Sequence, residues 1–330
     1  MTTQEQQTGG HDRRNLVIER IEEIILGGPR KYTGQELLAQ AGVDSERGAR
    51  LWQSLGFAEA GEARVFTDLD ARLLDDIESV RATGILSEHL QEAALRFIGQ
   101  AMSGLADWQV DYIHHLLAVD NTDPLHWPVN LRSLLPELEG LQEFIWRRHL
   151  AVAAGRLMAS APDDADLRTL AVGAVDLVGF TRTVRRLSPS QLAELVELFH
   201  GIAGDAIADH GGRLVKTVGD AVLFVTDRPQ ETALIALELL DRTATEDTLP
   251  EVRTGLALGS VLTRFGDIYG EVVDNAARLC SHSRPGRILV DRAFATALEE
   301  DPRFALRMRR PVVERGYPRL QSWGLRRGTG

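Results

Sequence analysis

The chain has 330 residues, 44% of them hydrophobic, and a formal net charge of −11. This length and apolar content suffice for two domains with separate cores, and the negative charge argues against general affinity for nucleic acid or acidic membranes. The single cysteine, Cys280, excludes an internal disulfide framework and fits a reducing cytoplasm, while the polar N-terminus and the lack of a bilayer-length apolar stretch predict no membrane segment.

The N-terminal third is predicted to be helical. An amphipathic helix is expected from Asn15 to about Leu26, where Gly27-Gly28-Pro29 ends it. The spacing of Thr33 and Glu36 predicts a capping box at the next helix. A further helix is expected over 44–55, followed by a hairpin-like stretch.

Residues 31–82 together resemble the winged helix-turn-helix unit of mercury-resistance regulators. DNA binding is therefore one hypothesis, with Arg47 and Arg50 on the second helix. However, the unit holds six Lys and Arg against ten Asp and Glu, a net charge of −4, whereas a phosphate-binding surface needs the opposite sign. A regulatory or dimerising scaffold is favoured over nucleic-acid binding.

Two long helices are predicted next, over Leu86–Ala118 and from Leu134 to about Ser160, with Pro124, Pro128 and Pro136 breaking the region between them. Histidines on these helices titrate near neutral pH and suggest a pH switch, although histidines without a role are the alternative. They are His114, His115 and His149. Residues 161–164 read as a linker, so an all-α regulatory domain is expected over 1–163 and a second domain over 164–330.

The second half contains two acidic turns. An apolar run from Ala171 ends at Asp176, and a Gly-containing hairpin over Gly211–Val225 carries Lys216 and Asp220. If the strands are neighbours, the two aspartates meet at the strand ends. Two hard carboxylates suit Mg²⁺ or Mn²⁺ held with a substrate's phosphates. The alternative is a pair of turn aspartates that cap backbone N–H groups.

A third motif, G-D-I-Y-G-E-V-V-D-N-A-A-R-L over Gly266–Leu279, is an acidic turn followed by a helix start. With V-D-L-V-G-F-T and V-K-T-V-G-D-A-V, it resembles the class III nucleotidyl cyclase catalytic domain, the fold of adenylyl and guanylyl cyclases. The resemblance covers Leu167 to about Leu325. It implies an α+β fold with a ferredoxin-like βαββαβ core, a mostly antiparallel sheet covered by helices.

The resemblance also implies roles for individual residues. Two divalent cations, Mg²⁺ or Mn²⁺, are expected at Asp176, Asp220 and the backbone carbonyl of Leu177. Lys216 and Asp267 match the pair that selects the purine, in the combination that reads adenine. Arg278 matches the arginine that stabilises the transition state. Arg315 falls where the family has a phosphate-binding lysine, and a guanidinium fork replaces a point charge there.

One position departs from the family pattern. The helix motif has asparagine four residues before the arginine, but here that residue is Asp274, and Asn275 follows it. A carboxylate about 4 Å from developing negative charge would oppose the reaction by up to ~4 kcal/mol at an effective dielectric near 20. The penalty shrinks if Asp274 is protonated, paired with Arg278 or directed away.

The expected reaction is attack of the ribose 3′-oxygen on the α-phosphorus of ATP, giving cyclic AMP and pyrophosphate. In the family one subunit supplies the metal aspartates and the other supplies the base-reading and transition-state residues. This chain carries both sets, so a cytoplasmic homodimer is predicted, regulated through the N-terminal domain by pH or an apolar ligand. The alternatives are a nucleotide sensor disabled by Asp274 and a transcription regulator.

Overall fold

The computed structural model describes residues 16–58, 61–119, 127–158 and 167–328. The chain divides into two compact units, Met1–Arg156 and Leu157–Gly330. None of the described helices has the length and apolar content needed to cross a membrane.

The first unit begins with short helices around a small core. They are α1 (16–25), α2 (Gly34–Ala41), α3 (Ser45–Ser54) and α4 (Asp68–Ala82). The predicted capping box at α2 is confirmed, since Thr33 accepts from the Glu36 amide and Glu36 accepts from the Thr33 amide. Leu37, Leu51 and Leu74 are buried together in this core. In the hairpin-like stretch, the described residues form one isolated bridge, between Tyr32 and Phe66.

Two 32-residue helices follow, α5 (Glu88–Val119) and α6 (Trp127–Met158). The predicted start of the second helix near Leu134 is wrong, because Pro128 lies in the first turn of α6, where a missing N–H costs nothing. Pro136 lies inside α6 and removes one intrahelical bond without ending the helix. Pro124 and the predicted linker at 161–164 lie outside the described residues, as do the side chains of His114 and His115.

The second unit follows the order expected for the βαββαβ core, which confirms the predicted fold class. Its elements are β1 (Leu167–Leu177), α7 (Phe180–Val184), α8 (Pro189–Asp209), β2 (Arg213–Val218), β3 (Ala221–Thr226), α9 (Pro229–Ala244), β4 (Val252–Arg264), β5 (Asp267–Tyr269), α10 (Glu271–His282), β6 (Arg287–Val290), α11 (Arg292–Leu298), β7 (Phe304–Met308) and β8 (Trp323–Arg327).

These strands form one sheet in the order β2-β3-β1-β4-β6-β8-β7, with β5 paired to β4. All of the pairs are antiparallel except β4 with β6. Helices α8, α9 and α11 cover one face, where Phe199, Phe224 and Phe294 are fully buried. Helix α10 packs on the opposite face, called here the α10 face, where Ala276 meets Val172 and Ala257.

Helix α10 approaches β4 at Gly255. A Cβ on this glycine would lie 2.2 Å from both the Ala276 carbonyl oxygen and the Cys280 amide nitrogen. The neighbours are backbone atoms of a helix, so they cannot yield without moving α10. Glycine at 255 therefore sets the position of the helix that carries Asp274 and Arg278.

We expect Gly255→Ala to lower the free energy of unfolding by about 1–3 kcal/mol or more, because the added methyl overpacks the contact between α10 and β4. Thermal unfolding measures the loss. Gly201→Ala is the matched control, since Gly201 lies in α8 with open space around its Cβ position and alanine favours the helix. Equal melting temperatures for Gly255→Ala and the wild type would contradict the close approach.

Candidate active site

The two acidic turns meet at one end of neighbouring strands. Asp176 lies near the end of β1 and pairs in register with Ala221, the first residue of β3, so Asp220 lies beside it in the hairpin turn. The Leu177 amide donates to the Asp220 carbonyl oxygen at 3.3 Å and closes this end of the pair. The predicted juxtaposition of the aspartates is therefore present.

The two carboxyl groups interact directly. Partial burial, followed by the negative charge of Asp176 and a hydrogen bond with it, raises the pKa of Asp220 to about 6. Two carboxylates this close repel each other when both are ionised. A divalent cation would relieve this repulsion, and hard oxygen donors are what Mg²⁺ and Mn²⁺ prefer. The Leu177 side chain is buried in the core, so its contribution to such a site is its backbone carbonyl.

Arg253 completes this cluster and was not singled out from the sequence. It lies on β4 directly opposite Asp176, and its Nε donates to the Asp176 carboxylate at 2.7 Å, with a second bond from Nη2. Its Nη1 donates to the Ser281 carbonyl oxygen at 2.9 Å. The signal in the sequence was one arginine interrupting an apolar strand, V-R-T-G-L-A-L, because a charge there needs a partner.

A histidine on α8 holds the hairpin turn. Gly219 has a positive φ of 60°, which glycine adopts without strain, and its carbonyl oxygen lies 3.1 Å from Nε2 of His200. The carbonyl can only accept, so Nε2 carries the proton. His200 thereby anchors the residue that precedes Asp220.

Lys216 and Asp267 form a second cluster. Lys216 Nζ donates to Asp267 Oδ2 at 2.6 Å. A register shift between Leu214 and Lys216 marks a bulge in β2, and bulges redirect side chains. Partial burial acts to raise the pKa of Asp267. The hydrogen bond from Lys216 acts in the opposite direction and holds this pKa below its usual value.

The turn before Asp267 has an unusual backbone. Phe265 and Gly266 both have positive φ, 50° and 76°, and Arg264 pairs with Asp267, as in a two-residue hairpin turn. Arg213 on β2 donates to the Gly266 carbonyl oxygen at 3.0 Å. The turn is thus held against the strand that carries Lys216.

Arg278 forms a third cluster with the segment between β7 and β8. It is 9% exposed, its Nε donates to Glu314 at 3.2 Å, and its Nη2 donates to the Pro318 carbonyl oxygen at 3.0 Å. The guanidinium also lies 4.7 Å from the centre of the Tyr317 ring. Arg315 lies on the same segment and is exposed.

Asp274 and Asn275, one turn before Arg278 on α10, differ in their surroundings. Asn275 Oδ1 lies 3.5 Å from Arg278 Nη1. Asp274 is exposed, and within the part of the chain that the structure describes it forms no ion pair with Arg278. In this structure the extra carboxylate is exposed and unpaired with the guanidinium, and the asparagine one position later contacts it.

Among the described residues, no direct side-chain hydrogen bond or ion pair joins Asp176 and Asp220, the Lys216–Asp267 pair and Arg278. Arg253 and Arg278 are linked through Ser281, whose carbonyl oxygen accepts from Arg253 and whose hydroxyl donates to the Arg278 carbonyl oxygen, each at 2.9 Å. One chain therefore carries two carboxylates that fit cations and, separately, cationic and acidic groups that fit a base and a phosphate.

Cys280 is a buried residue of α10 beside the carboxylate cluster. Its thiol donates to the Arg253 carbonyl oxygen at 3.3 Å, and desolvation raises the pKa of the thiol to about 12. It packs as a small, mostly hydrophobic residue.

Comparison with known proteins adds independent findings. Residues 167–326 match the family model described as the adenylate and guanylate cyclase catalytic domain. A protein named adenylate cyclase from Streptomyces coelicolor is 41% identical over 84% of this chain and 74% of its own length. One of the same name from Glutamicibacter nicotianae is 33% identical over 95% of this chain and 83% of its own. The pH-sensitive adenylate cyclase MT1302 from Mycobacterium tuberculosis is 28% identical over 82% and 70%.

In metal-free protein we expect Asp220→Asn to raise the melting temperature at pH 7.5 but much less at pH 4.5. The folded-state pKa of Asp220, about 6, lies above its ordinary value of 3.8, so the folded protein holds the proton more tightly. The wild type therefore loses stability as pH rises from 3.8 to about 6, where Asp220 ionises. The amide of asparagine does not ionise, so the variant does not lose this stability. Thermal melts in a chelator test this, with exposed Asp205→Asn as control. A difference that does not change with pH would contradict it.

Proposed function

We propose, since the chain belongs to the class III adenylate and guanylate cyclase family, that it converts ATP to 3′,5′-cyclic AMP and pyrophosphate. The observation that carries the proposal is the direct interaction of Asp176 with Asp220 at the ends of β1 and β3. Relatives that share a third or more of its residues over most of the chain bear the name adenylate cyclase, which supports ATP as the substrate.

In this proposal Asp176, Asp220 and the Leu177 carbonyl hold two divalent cations, Mg²⁺ or Mn²⁺. Bound there, the cations supply charge neutralisation at the triphosphate and a lower pKa for the attacking 3′-hydroxyl. Arg253 contacts Asp176 at 2.7 Å and is placed to receive phosphate charge when the carboxylate turns toward a cation. The protein supplies positioning and electrostatic stabilisation, which dominate catalysis of phosphoryl transfer.

Lys216 and Asp267 are proposed to read the purine. Adenine offers a donor at its amino group next to an acceptor on the ring, and a lysine donor beside an aspartate acceptor complements that edge. The two side chains already lie 2.6 Å apart and are both partly exposed. When adenine binds, the Lys216–Asp267 ion pair would be replaced by one hydrogen bond between each side chain and the base. The two side chains are already next to each other before the base arrives.

Arg278 is proposed to stabilise the pentavalent transition state, and Arg315 to bind the outer phosphates. For this, Arg278 must exchange its contacts with Glu314 and Pro318 for contacts with the substrate. Arg278 is bonded to the segment between β7 and β8, and Arg315 is part of that segment. Movement of the segment would therefore release Arg278 and reposition Arg315 together. A guanidinium at Arg315 can bind phosphate through two parallel hydrogen bonds.

We propose that two copies of the chain form the working enzyme, because no direct bond joins the functional side chains of the three clusters and each cluster is incomplete alone. The metal carboxylates of one copy would face the purine-reading pair and Arg278 of the other. A two-fold dimer then has two equivalent sites. A cytoplasmic location, where ATP is abundant, is part of the proposal.

The two alternative functions draw no specific support from the geometry. Asp274 is exposed, and among the described residues the ion pair of Arg278 is with Glu314, so the sensor hypothesis gains no disabling contact. On the winged-helix-like unit, Arg47 is 8% exposed and bonded to Glu78 and Glu88. Arg50 is paired with Glu46, Glu88 and Glu92. Both arginines are already paired with carboxylates of the same unit, which argues against their use on DNA.

Regulation by the first unit, residues 1–163 in the proposed division, is supported by two observations. The alignment with the pH-sensitive relative covers 82% of this chain and so extends beyond the catalytic domain. The winged-helix-like unit also encloses a cavity of about 240 Å³ bordered by Leu37, Trp52 and Phe66. The cavity is mostly apolar and smaller than the roughly 300–1,000 Å³ of typical small-molecule sites, so its ligand would be small and apolar.

Complementation tests the function and the shared site together. Asp220→Asn and Arg278→Ala are each expected to lower cyclic AMP formation from MnATP at least a hundredfold, because each removes a charge used at the reacting phosphate. Mixed in equal amounts, they should regain about a quarter of wild-type activity, since half of the dimers then contain one intact site of two. A mixture as inactive as its parts would refute the shared site, and an inactive wild type would refute the cyclase.

Removal of residues 1–160 tests the regulatory role. We expect the full-length chain to change its cyclase activity between pH 5.5 and 8 more strongly than the truncated chain does. Activity is measured on both proteins across that range at saturating MnATP. Profiles that coincide in shape and height would refute regulation by the first unit.

A further inference from the structure

A cavity of about 560 Å³ lies in the second unit. The end of α10, strands β6 and β8, and the segment after β7 surround it. It is lined by five arginines, Arg284, Arg287, Arg309, Arg310 and Arg326, and by His282. Its other lining residues include Leu289 and Val313, and no acidic side chain lines it in the described part of the chain.

The five arginines have no carboxylate partners among the described residues, although the chain as a whole has a net charge of −11. Arginines elsewhere in the unit are paired, such as Arg303 with Asp301 and Arg327 with Asp241. All five are exposed to solvent, which screens their mutual repulsion, and an anion bound among them would lower it further. The concentration of unpaired positive charge in an acidic protein points to an anionic ligand.

Buried serines fix the backbone that carries these arginines. Ser322 is fully buried, and its hydroxyl donates to the Arg310 carbonyl oxygen at 3.0 Å while its carbonyl accepts from the Arg309 amide at 2.9 Å. Ser283 donates to the Arg287 carbonyl oxygen at 2.8 Å. A Cβ at Gly324 would lie 2.8 Å from Arg309 Nε, so glycine leaves room for that guanidinium over β8. The cavity is built before any ligand arrives.

We propose that this cavity binds a small molecule carrying two or more phosphate groups. Guanidinium groups bind phosphate oxygens through paired hydrogen bonds, and one phosphate group carries only about two negative charges, fewer than the arginines present. The volume is typical of a small-molecule site, which lies in the range of roughly 300–1,000 Å³. Its apolar lining leaves room for an organic group beside the phosphates.

The cavity does not include the carboxylate pair. Asp176, Arg253 and Arg287 lie in one row across β1, β4 and β6, so Arg287 is two strands from the aspartate and next to Arg253. The residues proposed above to hold cations, purine or phosphate do not line the cavity, so a chelator and the cavity variants distinguish its ligand from the nucleotide site. Binding of this ligand is measurable in protein that turns over no substrate.

Calorimetric titration of the full-length protein tests the proposal, with inorganic tripolyphosphate as the probe and a chelator present to remove divalent cations. We expect the double variant Arg287→Gln, Arg326→Gln to bind tripolyphosphate at least about tenfold more weakly than the wild type, or ~1.4 kcal/mol. The matched control is Arg292→Gln, Arg327→Gln. It removes the same charge from the same unit, but Arg327 bonds to Asp241 on α9 and lies outside the cavity.

Each outcome decides the question. Weaker binding in the cavity variant, with the control within about twofold of the wild type, supports the site. A parallel titration with ADP distinguishes the source: tighter binding than tripolyphosphate, lost in the cavity variant, indicates a nucleotide, and weaker binding indicates an inorganic oligophosphate. No binding by the wild type, or equal loss in both double variants, would overturn the proposal. Arg310→Gln provides a second cavity variant should the double variant unfold.

Discussion

The pairing of β1 with β3 places two carboxyl groups against each other, and the arrangement around them depends on this contact. Register fixes Asp176 beside the residue that follows Asp220, and a glycine with positive φ turns the hairpin. Two ionised carboxylates in contact are unfavourable without a compensating charge. In this structure the compensation comes from a raised pKa at Asp220 and from Arg253 opposite Asp176. A fold that maintains such a pair is poised to accept a cation.

The cations Lys216 and Arg278 of the same unit are bonded to other acidic residues and not to the carboxylate pair. Lys216 is held by Asp267, and Arg278 by Glu314 and its neighbours. Each of these cations is balanced locally by an acidic partner. In the proposed dimer a nucleotide would replace these partners, and the groups of one copy would compensate the charge of the carboxylate pair in the other.

Much of this site could be predicted from sequence because its residues follow strands and turns with strong local signals. An apolar run that ends in aspartate, and a Gly-Asp turn between β-branched runs, identify Asp176 and Asp220 without knowledge of the fold. Arg253 was missed, since its partner is 77 residues away and only strand register brings them together. The start of α6 was wrong because proline was taken as a break, although the first helical turn tolerates it.

The arginine-lined cavity could not be predicted from the sequence either, because its residues are distant in sequence. Its residues come from three segments between 282 and 326, and each segment alone reads as an ordinary solvated surface. The geometry of α10 on β4 depends on Gly255, whose packing role cannot be distinguished from a simple turn or bulge by sequence. Local patterns thus predict which residues end strands, while sheet order and helix packing decide which of them meet.

The account rests on the apposed carboxylates forming a divalent-cation site, and Mn²⁺ binding measured by electron paramagnetic resonance tests this most directly. The wild type should bind Mn²⁺ in the presence of a non-hydrolysable ATP analogue. Asp176→Asn and Asp220→Asn should each lose that binding, and the exposed control Asp205→Asn should keep it. Mn²⁺ binding of equal affinity in the wild type and Asp220→Asn would contradict the account.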